Sequence, residues 1–232
     1  MREEHLSTPS ISQSLLACSV PSFAAPSSAR SNALFCKQLG EPLSQRPTRD
    51  TMDALVLLSG GIDSLACLVH YRSAGADTAA LYVDYGQPAA MQERAAVARI
   101  ASATGTSVSE VSVAGLRVNT GEIRGRNALL LSLGLMRFSA AAGLIGIGLH
   151  AGSRYADCSP LFVNEMQSVV DLYRDGTIRV SAPFLTWRKR DIWNYLRTLD
   201  APVDLTYSCE RGGHQPCQNC LSCLDTNDLR AS

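Results

Sequence analysis

Residues 54–68 read ALVLLSGGIDSLACL, and this stretch decides the fold. A short apolar run, followed at once by a polar turn and a helical pattern, predicts a buried parallel strand that leads into a helix. The two glycines let the turn bend tightly and approach a ligand without a Cβ in between. Ser59, Asp63 and Ser64 add hydroxyl and carboxylate groups at the start of the helix, where free N–H groups and the helix dipole favour a phosphate.

The turn is not a Walker A loop, because that motif needs Gly-x-x-x-x-Gly-Lys-Ser/Thr and no lysine is present here. The pattern Ser-Gly-Gly-x-Asp-Ser instead resembles the pyrophosphate loop of the N-type ATP pyrophosphatases. The resemblance implies that the loop holds the β,γ-pyrophosphate of ATP while a substrate attacks the α-phosphate and becomes adenylated. The alternative is an ordinary glycine turn of any α/β protein. The residues that would bind the nucleotide in this loop are Leu58, Ser59, Gly60, Gly61, Ile62, Asp63 and Ser64.

The composition of the 232-residue chain is ordinary for a globular protein, with 46% apolar and 18% charged residues. This length is enough for one α/β domain with a sizeable core. The formal net charge is zero, so the charge balance does not indicate a nucleic-acid or membrane partner. We therefore expect no nucleic acid and no membrane span.

The first 51 residues differ from the rest, since they are rich in Ser, Pro and Ala and lack sustained periodicity. We expect a disordered tail here. A secretory signal peptide fits poorly, because Glu3 and Glu4 stand near the start and the apolar run at 15–18 is short. An alternative is that Met52 is the natural start, just before the first strand. The predicted organisation is a tail or wrongly assigned start over 1–51, an ATP pyrophosphatase domain over 52–205 and a zinc-binding segment over 206–232.

Strand and helix patterns alternate after the loop, which predicts a doubly wound parallel sheet. The resemblance to the ATP pyrophosphatases implies the adenine nucleotide α-hydrolase-like form of this α/β fold. Ligands of such sheets bind beyond the carboxyl ends of the strands, so the loops after Leu58, Val83 and Leu149 should form one site. The predicted strands cover 54–58, 78–83, 106–113, 144–149 and 178–180. The predicted helices cover 62–73, 88–103 and 126–142, and two more begin after the caps Ser159 and Thr186.

Four of the eight cysteines crowd into the segment 209–223. Two overlapping C-x-x-C pairs and an upstream cysteine across a glycine turn match tetrahedral coordination of zinc by four thiolates. Such a closed site is structural, and metal binding would tie the C-terminal segment to the domain. The alternatives are a redox dithiol or chance clustering, and His214 is expected to be a surface residue. This use of cysteine indicates a reducing compartment, the cytoplasm. The predicted zinc ligands are Cys209, Cys217, Cys220 and Cys223.

The pyrophosphate loop and the four-cysteine segment together resemble the 7-cyano-7-deazaguanine synthase family, QueC. The resemblance runs from about residue 54 to residue 224. It implies an ATP-dependent ligase of queuosine biosynthesis that makes 7-cyano-7-deazaguanine (preQ0) from 7-carboxy-7-deazaguanine and ammonia. It also implies Mg2+ with the ATP, structural Zn2+ and a homodimer. The matching pieces are LLSGGIDS at 57–64, DYGQ at 84–87, GRN at 125–127 before a leucine-rich helix, YADC at 155–158 and the cysteine segment.

The resemblance implies roles for individual residues as well. Asp63 and Ser64 hold the pyrophosphate, with Asp63 on the metal, and Asp84 lines the nucleotide pocket. Arg126 meets a phosphate or the substrate carboxylate, and its alternative is a surface salt bridge. Asp157 accepts hydrogen bonds from the guanine-like edge of the substrate, and its alternative is a surface aspartate beside a helix. The implied catalytic set is therefore Asp63, Ser64, Arg126 and Asp157.

The chain departs from the family pattern at three places. Pro88 begins a pair that is Arg-His in the family, Arg124 replaces a proline, and Ser159 replaces an arginine after Asp-Cys. These changes leave ATP use intact and put the exact substrate in question. A second hypothesis is therefore a QueC-like paralogue that adenylates a deazaguanine acid and joins it to another amine, on a protein or a natural product. A zinc-ribbon RNA-binding module and a tRNA thiolase are weaker hypotheses, because the neutral chain has no basic stripe.

Overall fold

The computed structural model of the chain describes residues 52–116, 118, 123–153 and 155–231. The tail predicted over 1–51 lies outside these residues, and the predicted domain boundaries stay predictions. The described residues belong to one compact unit in which strands and helices alternate along the chain. Within this part of the chain, no helix is both long enough and apolar enough to cross a membrane.

A parallel sheet forms the centre of the described residues. Its strands are β1 Asp53–Leu57, β2 Asp77–Asp84, β3 Val108–Ser112, β4 Gly143–Gly146 and β5 Ile178–Ser181. They lie in the order β3-β2-β1-β4-β5, and β1 pairs with β2 on one side and with β4 on the other. The chain thus moves outward on one side of β1 and then on the other. The carboxyl end of β1 is the topological switch point, where sheets of this kind bind their ligands.

Helices cover both faces of the sheet, because successive side chains of each strand point into two different apolar cores. The helices are α1 Ile62–Ser73, α2 Ala90–Thr104, α3 Arg126–Arg137, α4 Pro160–Arg174, α5 Lys189–Thr198 and α6 Leu221–Arg230. Val56 of β1 belongs to the core that includes α1, α2, α5 and α6. Leu57 belongs to the core that includes α3 and α4. The predicted doubly wound parallel sheet is therefore confirmed.

The helix predicted over 126–142 is shorter than expected. It ends at Arg137, because Phe138 takes an extended backbone and buries its ring in the core beneath α3. The strand predicted over 144–149 is also too long, since β4 ends at Gly146 and the last bond to β5 is the one that the Ile147 N–H donates to the Ser181 carbonyl. A Cβ on Gly148 would lie 2.7 Å from the carbonyl carbon of Asp63, so the chain passes close to the start of α1 at this point.

Two predicted helix starts are wrong as well. Pro88 lies in the turn before α2, which begins two residues later. Thr186 does not cap α5; Arg188 occupies the cap position, and its N–H donates to Asp191 Oδ2 at 3.0 Å. The predicted cap of α4 is confirmed, because Ser159 Oγ accepts the N–H of Phe162 at 3.2 Å. Helix α6, which the sequence analysis did not predict, is anchored in the core by Leu229.

Candidate functional site

A cavity of about 720 Å³ opens beyond the carboxyl ends of β1, β2 and β4, and we call it the central cavity. Its walls come from distant pieces of the chain: the glycine loop, the starts of α3 and α5, the ends of the strands and the C-terminal cysteine segment. It therefore occupies the switch point of the sheet. The loops after Leu58, Val83 and Leu149 do converge, since all three residues line this cavity.

The loop between β1 and α1 is held in one shape by its own hydrogen bonds. The N–H and the hydroxyl of Ser59 both lie 3.2 Å from Ser64 Oγ, which donates to the Gly61 carbonyl at 2.9 Å. Gly60 has φ +82°, and an added Cβ would lie 2.9 Å from Ala96 Cβ, so both conformation and space require glycine. Gly61 and the first turn of α1 line the central cavity, which makes the free N–H groups of that turn available to an anion.

Asp63 carries one carboxylate oxygen that is paired and one that is not. Its Oδ2 lies 3.4 Å from Lys189 Nζ and 3.9 Å from His150 Nε2. Its Oδ1 is buried and has no hydrogen-bond partner among the described residues. A buried carboxylate oxygen in this state fits a divalent cation, since hard cations take oxygen ligands.

Two cavity residues beside Asp63 were not predicted from the sequence. His150 follows the buried run after β4, and its Nδ1 accepts the N–H of Gly152 at 3.0 Å. A neutral His150 ring therefore carries its proton on Nε2, the atom that faces Asp63. Lys189 is the first residue of α5, and its Nζ also lies 3.8 Å from Asp225 Oδ2 on α6.

A second polar cluster lies at the start of α3. Arg126 Nε donates to Asn127 Oδ1 at 3.2 Å, and Asn127 Nδ2 donates to the Asp157 carbonyl at 3.1 Å. The Asn127 N–H lies 3.4 Å from Asp157 Oδ2. Arg126, Asn127 and Cys158 line the central cavity, whereas Asp157 is not among the described residues that do. Burial raises the pKa of the Cys158 thiol, which disfavours a thiolate nucleophile at neutral pH.

Asp84 lies at the end of β2 and is already fully engaged. Its Oδ1 accepts the Gly86 N–H at 3.0 Å, and its Oδ2 pairs with Arg94 at 2.6 Å. The Gly86 hydrogen bond, and then Arg94, hold the pKa of Asp84 below its usual range. Of the adjacent pair, Tyr85 lines the central cavity and Asp84 is not among the described residues that do.

Glu93 of α2 is a cavity residue that the sequence analysis missed. Gln87 Nε2 donates to Glu93 Oε2 at 2.7 Å, and Gln87 Oε1 accepts the Tyr85 N–H at 2.9 Å. Burial raises the pKa of Glu93, and the Gln87 hydrogen bond and the charge of Arg126 oppose that rise. Gln87 of the DYGQ motif thus orients the buried Glu93 carboxylate near Arg126. A hydrogen-bond acceptor and a donor so close together suit a polar heterocycle, which carries both kinds of group.

The four predicted metal ligands come together at the C-terminal end of the chain. The sulfur atoms of Cys209, Cys217, Cys220 and Cys223 all lie within 4.8 Å of one another. Cys217 Sγ and Cys223 Sγ are 3.9 Å apart, close to the ~3.8 Å edge of a tetrahedron with metal–sulfur bonds of about 2.3 Å. Burial opposes ionisation of Cys209, but N–H groups of Cys217 and Arg211 donate to its sulfur, and its pKa falls to about 6. His214 is exposed, as predicted.

The cysteine segment forms one wall of the central cavity. Ser208, Cys209 and Glu210 line the cavity, and the Tyr207 N–H donates to the Gly60 carbonyl at 2.9 Å. Glu210 Oε1 accepts the N–H and the hydroxyl of Ser222 at 3.2 and 2.8 Å, so a carboxylate stabilises the start of α6. Metal binding at the cysteines would therefore fix the wall that faces the glycine loop.

A family comparison agrees with this combination of loop and cysteine cluster. The family model described as "Queuosine biosynthesis protein QueC" matches residues 53–123 and 108–228. The chain belongs to the QueC family. QueC relatives named 7-cyano-7-deazaguanine synthase include one from Prochlorococcus marinus (strain NATL2A), which is 32% identical over an alignment of 199 residues that covers 73% of this chain and 88% of that protein. Another, from Methanothrix thermoacetophila, is 29% identical over an alignment of 201 residues that covers 73% of this chain and 90% of that protein.

Two of the solved structures that match this QueC member resemble it only distantly. The U34-tRNA thiolase NcsA from Methanococcus maripaludis is 13% identical with a TM-score of 0.45, over 79% of this chain and 66% of that protein. The NMN synthetase from Francisella tularensis is 14% identical with a TM-score of 0.38, over 79% of each chain.

Proposed function

We propose that this chain is a 7-cyano-7-deazaguanine synthase, which converts 7-carboxy-7-deazaguanine, ammonia and ATP to the nitrile, AMP and pyrophosphate. One observation carries the proposal. The chain matches QueC from residue 53 to residue 228, and the SGGIDS loop of that match opens into the central cavity. The cavity lies within the range of about 300–1,000 Å³ that is usual for small-molecule sites.

The chemistry explains why such a reaction needs a pyrophosphate loop. A carboxylate is a poor electrophile, so its oxygen first attacks the α-phosphorus of ATP and expels pyrophosphate. Ammonia then attacks the acyl carbon and expels AMP, which leaves an amide. The amide oxygen attacks the α-phosphorus of a second ATP and expels a second pyrophosphate, and loss of AMP and a proton from the resulting imidate gives the nitrile. Each phosphoryl step develops negative charge, which preorganised donors stabilise.

The glycine loop is the proposed pyrophosphate site. The first turn of α1 supplies free N–H groups and the positive end of the helix dipole, and Ser59 and Ser64 supply hydroxyls. Gly61 lets the phosphate approach the backbone, because a Cβ there would stand on the cavity wall. Leu58 and Ile62 complete this wall.

Mg2+ is proposed to accompany ATP, and Asp63 is its proposed ligand. The buried Oδ1 of Asp63, which lacks a hydrogen-bond partner among the described residues, is the observation that fits this role. A bound Mg2+ would neutralise phosphate charge and orient the nucleotide. The four cysteines are proposed to hold Zn2+ in a closed structural site, which supplies no open position for chemistry.

The opposite side of the cavity is the proposed substrate side. Arg126 lines it near Glu93 and Tyr85, so its guanidinium is available to the substrate carboxylate or to a phosphate. Glu93 can accept N–H groups of a guanine-like ring. Asp157, proposed from the family resemblance to meet that ring, supports the start of α3 through Asn127 in this structure. Asp84 is proposed to act on the nucleotide pocket indirectly, by helping to position the neighbouring Tyr85.

The second candidate is a QueC-like paralogue that adenylates a deazaguanine acid and joins it to an amine other than ammonia. Its support is the set of substitutions at Pro88, Arg124 and Ser159. None of the three is among the described residues that line the central cavity, and Ser159 caps α4. This placement favours the synthase, because the cavity wall itself is not altered at these positions. The reaction would take place in the cytoplasm, and the homodimer implied by the family resemblance stays a prediction.

Product mass tests the choice between the two candidates. The zinc-loaded chain is incubated with 7-carboxy-7-deazaguanine, ammonium and Mg-ATP, and the products are separated and weighed by mass spectrometry. The synthase gives the nitrile with AMP and pyrophosphate. Turnover that stops at the amide or the adenylate supports the paralogue, and absence of ATP consumption by folded, zinc-loaded protein contradicts both.

A further inference from the structure

Lys189 is a charged residue of the central cavity to which the proposed mechanism so far gives no role. Its side chain is only 18% exposed, and its Nζ lies 3.4 Å from Asp63 Oδ2 and 3.8 Å from Asp225 Oδ2. Asp63 belongs to the pyrophosphate loop and Asp225 to α6 behind the cysteine cluster. Lys189 is therefore placed between the two parts of the chain that enclose the glycine loop.

The position of Lys189 in its own helix is electrostatically unfavourable. It is the first residue of α5, and a cation at a helix N-terminus opposes the helix dipole. The carboxylates of Asp63 and Asp225 offset this unfavourable interaction with the dipole, but they do not explain why a cation is present. The Lys189 ammonium and the N-terminal end of α5 meet at one point on the cavity wall, so a polyanion that replaced Asp63 and Asp225 as the partner of Lys189 would contact both.

The choice of lysine rather than arginine is also informative. Of the 21 Lys and Arg residues, only Lys37 and Lys189 are lysines. Arginine is thus the usual cation of this chain, and it stands on both sides of this position, at Arg188 and Arg190. Lysine differs by offering a compact ammonium on a flexible stem, which can change partners, whereas guanidinium is a rigid planar fork.

We propose that Lys189 is a pyrophosphate-binding residue that changes partners during the reaction. In the free protein its ammonium pairs with Asp63 and Asp225. When Mg-ATP is bound, the Asp63 carboxylate turns to Mg2+, and the Lys189 ammonium moves to the β- and γ-phosphates. This inference rests on the proposed function only for the identity of the acyl substrate. The binding of pyrophosphate by Lys189 does not depend on which acid is adenylated.

The step that Lys189 assists is the departure of pyrophosphate. The substrate oxygen forms a bond to the α-phosphorus, and the bond from that phosphorus to the oxygen bridging to the β-phosphorus breaks. The electron pair of the broken bond stays on the leaving pyrophosphate, where the ammonium stabilises the added charge. No proton transfer from Lys189 is required, and the same role recurs when the amide is activated. Loss of one such donor typically lowers kcat by about 100- to 1,000-fold.

The lysine content of the chain allows a test on the unmodified protein. Zinc-loaded full-length protein is treated with N-hydroxysuccinimidyl acetate, with and without Mg2+ and inorganic pyrophosphate, and the acetylation rate of each lysine is read by peptide mass spectrometry. Bound pyrophosphate should slow acetylation of Lys189 at least about tenfold, while Lys37 reacts as before. AMP, which lacks the β- and γ-phosphates, should protect Lys189 much less. Equal protection by AMP and pyrophosphate, or none by either, would overturn the inference.

Variants give a second, independent test. Lys189→Met should weaken pyrophosphate binding at least about tenfold and leave AMP binding within about twofold, because one charge-assisted contact is lost. Lys189→Arg should recover only part of the binding, because a guanidinium keeps the charge but not the compact, flexible ammonium. Arg190→Met, which removes an exposed cation one residue away, should behave as wild type. Equal weakening by Arg190→Met would show a general charge effect and contradict the inference.

The two proposals fail in different ways. If pyrophosphate protects Lys189 while the wild-type protein makes neither nitrile nor amide, the acyl substrate is wrong and the role of Lys189 is supported. If the wild-type protein makes the nitrile and Lys189→Met matches it in kcat and in pyrophosphate binding, the synthase stands and the role of Lys189 falls.

Discussion

The neighbouring glycines of the pyrophosphate loop have different tasks, and alanine at each position should show this. Gly60 has φ +82°, and a Cβ there would lie 2.9 Å from Ala96 Cβ and 3.0 Å from the Glu93 carbonyl oxygen. Gly61 has φ −84°, and the nearest atom to its added Cβ is Ser59 Oγ at 3.6 Å. Gly60→Ala should therefore damage the fold, and Gly61→Ala should damage only the site.

The expected magnitudes follow from these contacts. Gly60→Ala adds about 1–2 kcal/mol for a left-handed L-residue and about 1–3 kcal/mol for overpacking against α2. Reduced entropy of the unfolded chain returns about 0.4–1 kcal/mol, which leaves a loss of about 2–4 kcal/mol. At about 2–4 °C per kcal/mol, Tm should fall by about 5–15 °C. For Gly61→Ala the entropy gain is offset by the poorer N-cap, so the stability should stay within about 1 kcal/mol of wild type.

The assay measures thermal and urea unfolding of the zinc-loaded wild type and of both variants. Pyrophosphate binding is then measured for each of the three proteins. Gly61→Ala should fold normally and bind pyrophosphate at least about tenfold more weakly, because its methyl group stands where the phosphate approaches the backbone. If Gly61→Ala were the less stable variant, or if Gly60→Ala left Tm unchanged, the assignment of a structural role to Gly60 and a binding role to Gly61 would be refuted.

Three further predictions concern charge and metal. Asp63→Asn should lower kcat at least about 100-fold at saturating Mg-ATP, because the proposed Mg2+ ligand loses its charge. The control Asp77→Asn, at the amino end of β2, should match wild type. Equal kinetics for the two variants would reject Asp63 as the Mg2+ ligand. Cys220→Ser should lower the bound zinc and expose the segment 206–231 to protease, measured by metal analysis and limited proteolysis; full zinc content would contradict the four-thiolate site. The raised pKa of Glu93 means that its contribution to stability is fully present below the unfolded pKa near 4.3 and is lost as pH rises through the folded pKa. Glu93→Gln should therefore flatten the decline in the free energy of unfolding above about pH 4.5, and an unchanged pH profile would show that Glu93 is not the group responsible.

Local sequence patterns were enough to predict the elements around the glycine loop. Helix α1 covers 62–73 as predicted, because a glycine turn starts it and Gly75 follows its end. The predicted alternation of strands and helices also fixes the parallel sheet. The parallel strand order around β1 then brings the loops after β1, β2 and β4 together at one edge of the sheet, which is a topological consequence rather than a property of any single residue.

The errors lie where tertiary packing overrides the local pattern. Residues 138–142 continue an apolar run after α3, yet Phe138 is drawn into the core and ends the helix. Helix α6 has a weak apolar pattern of its own, and it forms where Leu229 reaches the core behind the cysteine cluster. Neither contact is visible in a stretch of sequence taken alone.

The candidate site was only partly predictable for a related reason. The loop and the cysteines carry recognisable spacings, and so the sequence was enough to name them. Glu93, His150 and Lys189 belong to no motif, and the fold alone brings them to the cavity. The scarcity of lysine was the one feature that could have drawn attention to Lys189. Asp84 and Asp157 were named by resemblance, and both are engaged in hydrogen bonds beside the cavity.

Oxygen-18 transfer tests most directly the central claim, that the cavity activates a carboxylate and then an amide by adenylation. The substrate is 7-carboxy-7-deazaguanine with both carboxyl oxygens labelled, supplied with ammonium, unlabelled Mg-ATP and the zinc-loaded protein. We expect each nitrile to be accompanied by two molecules of AMP, each carrying one oxygen-18, and the nitrile to keep none. AMP without the label, or ADP in place of AMP, would contradict that claim.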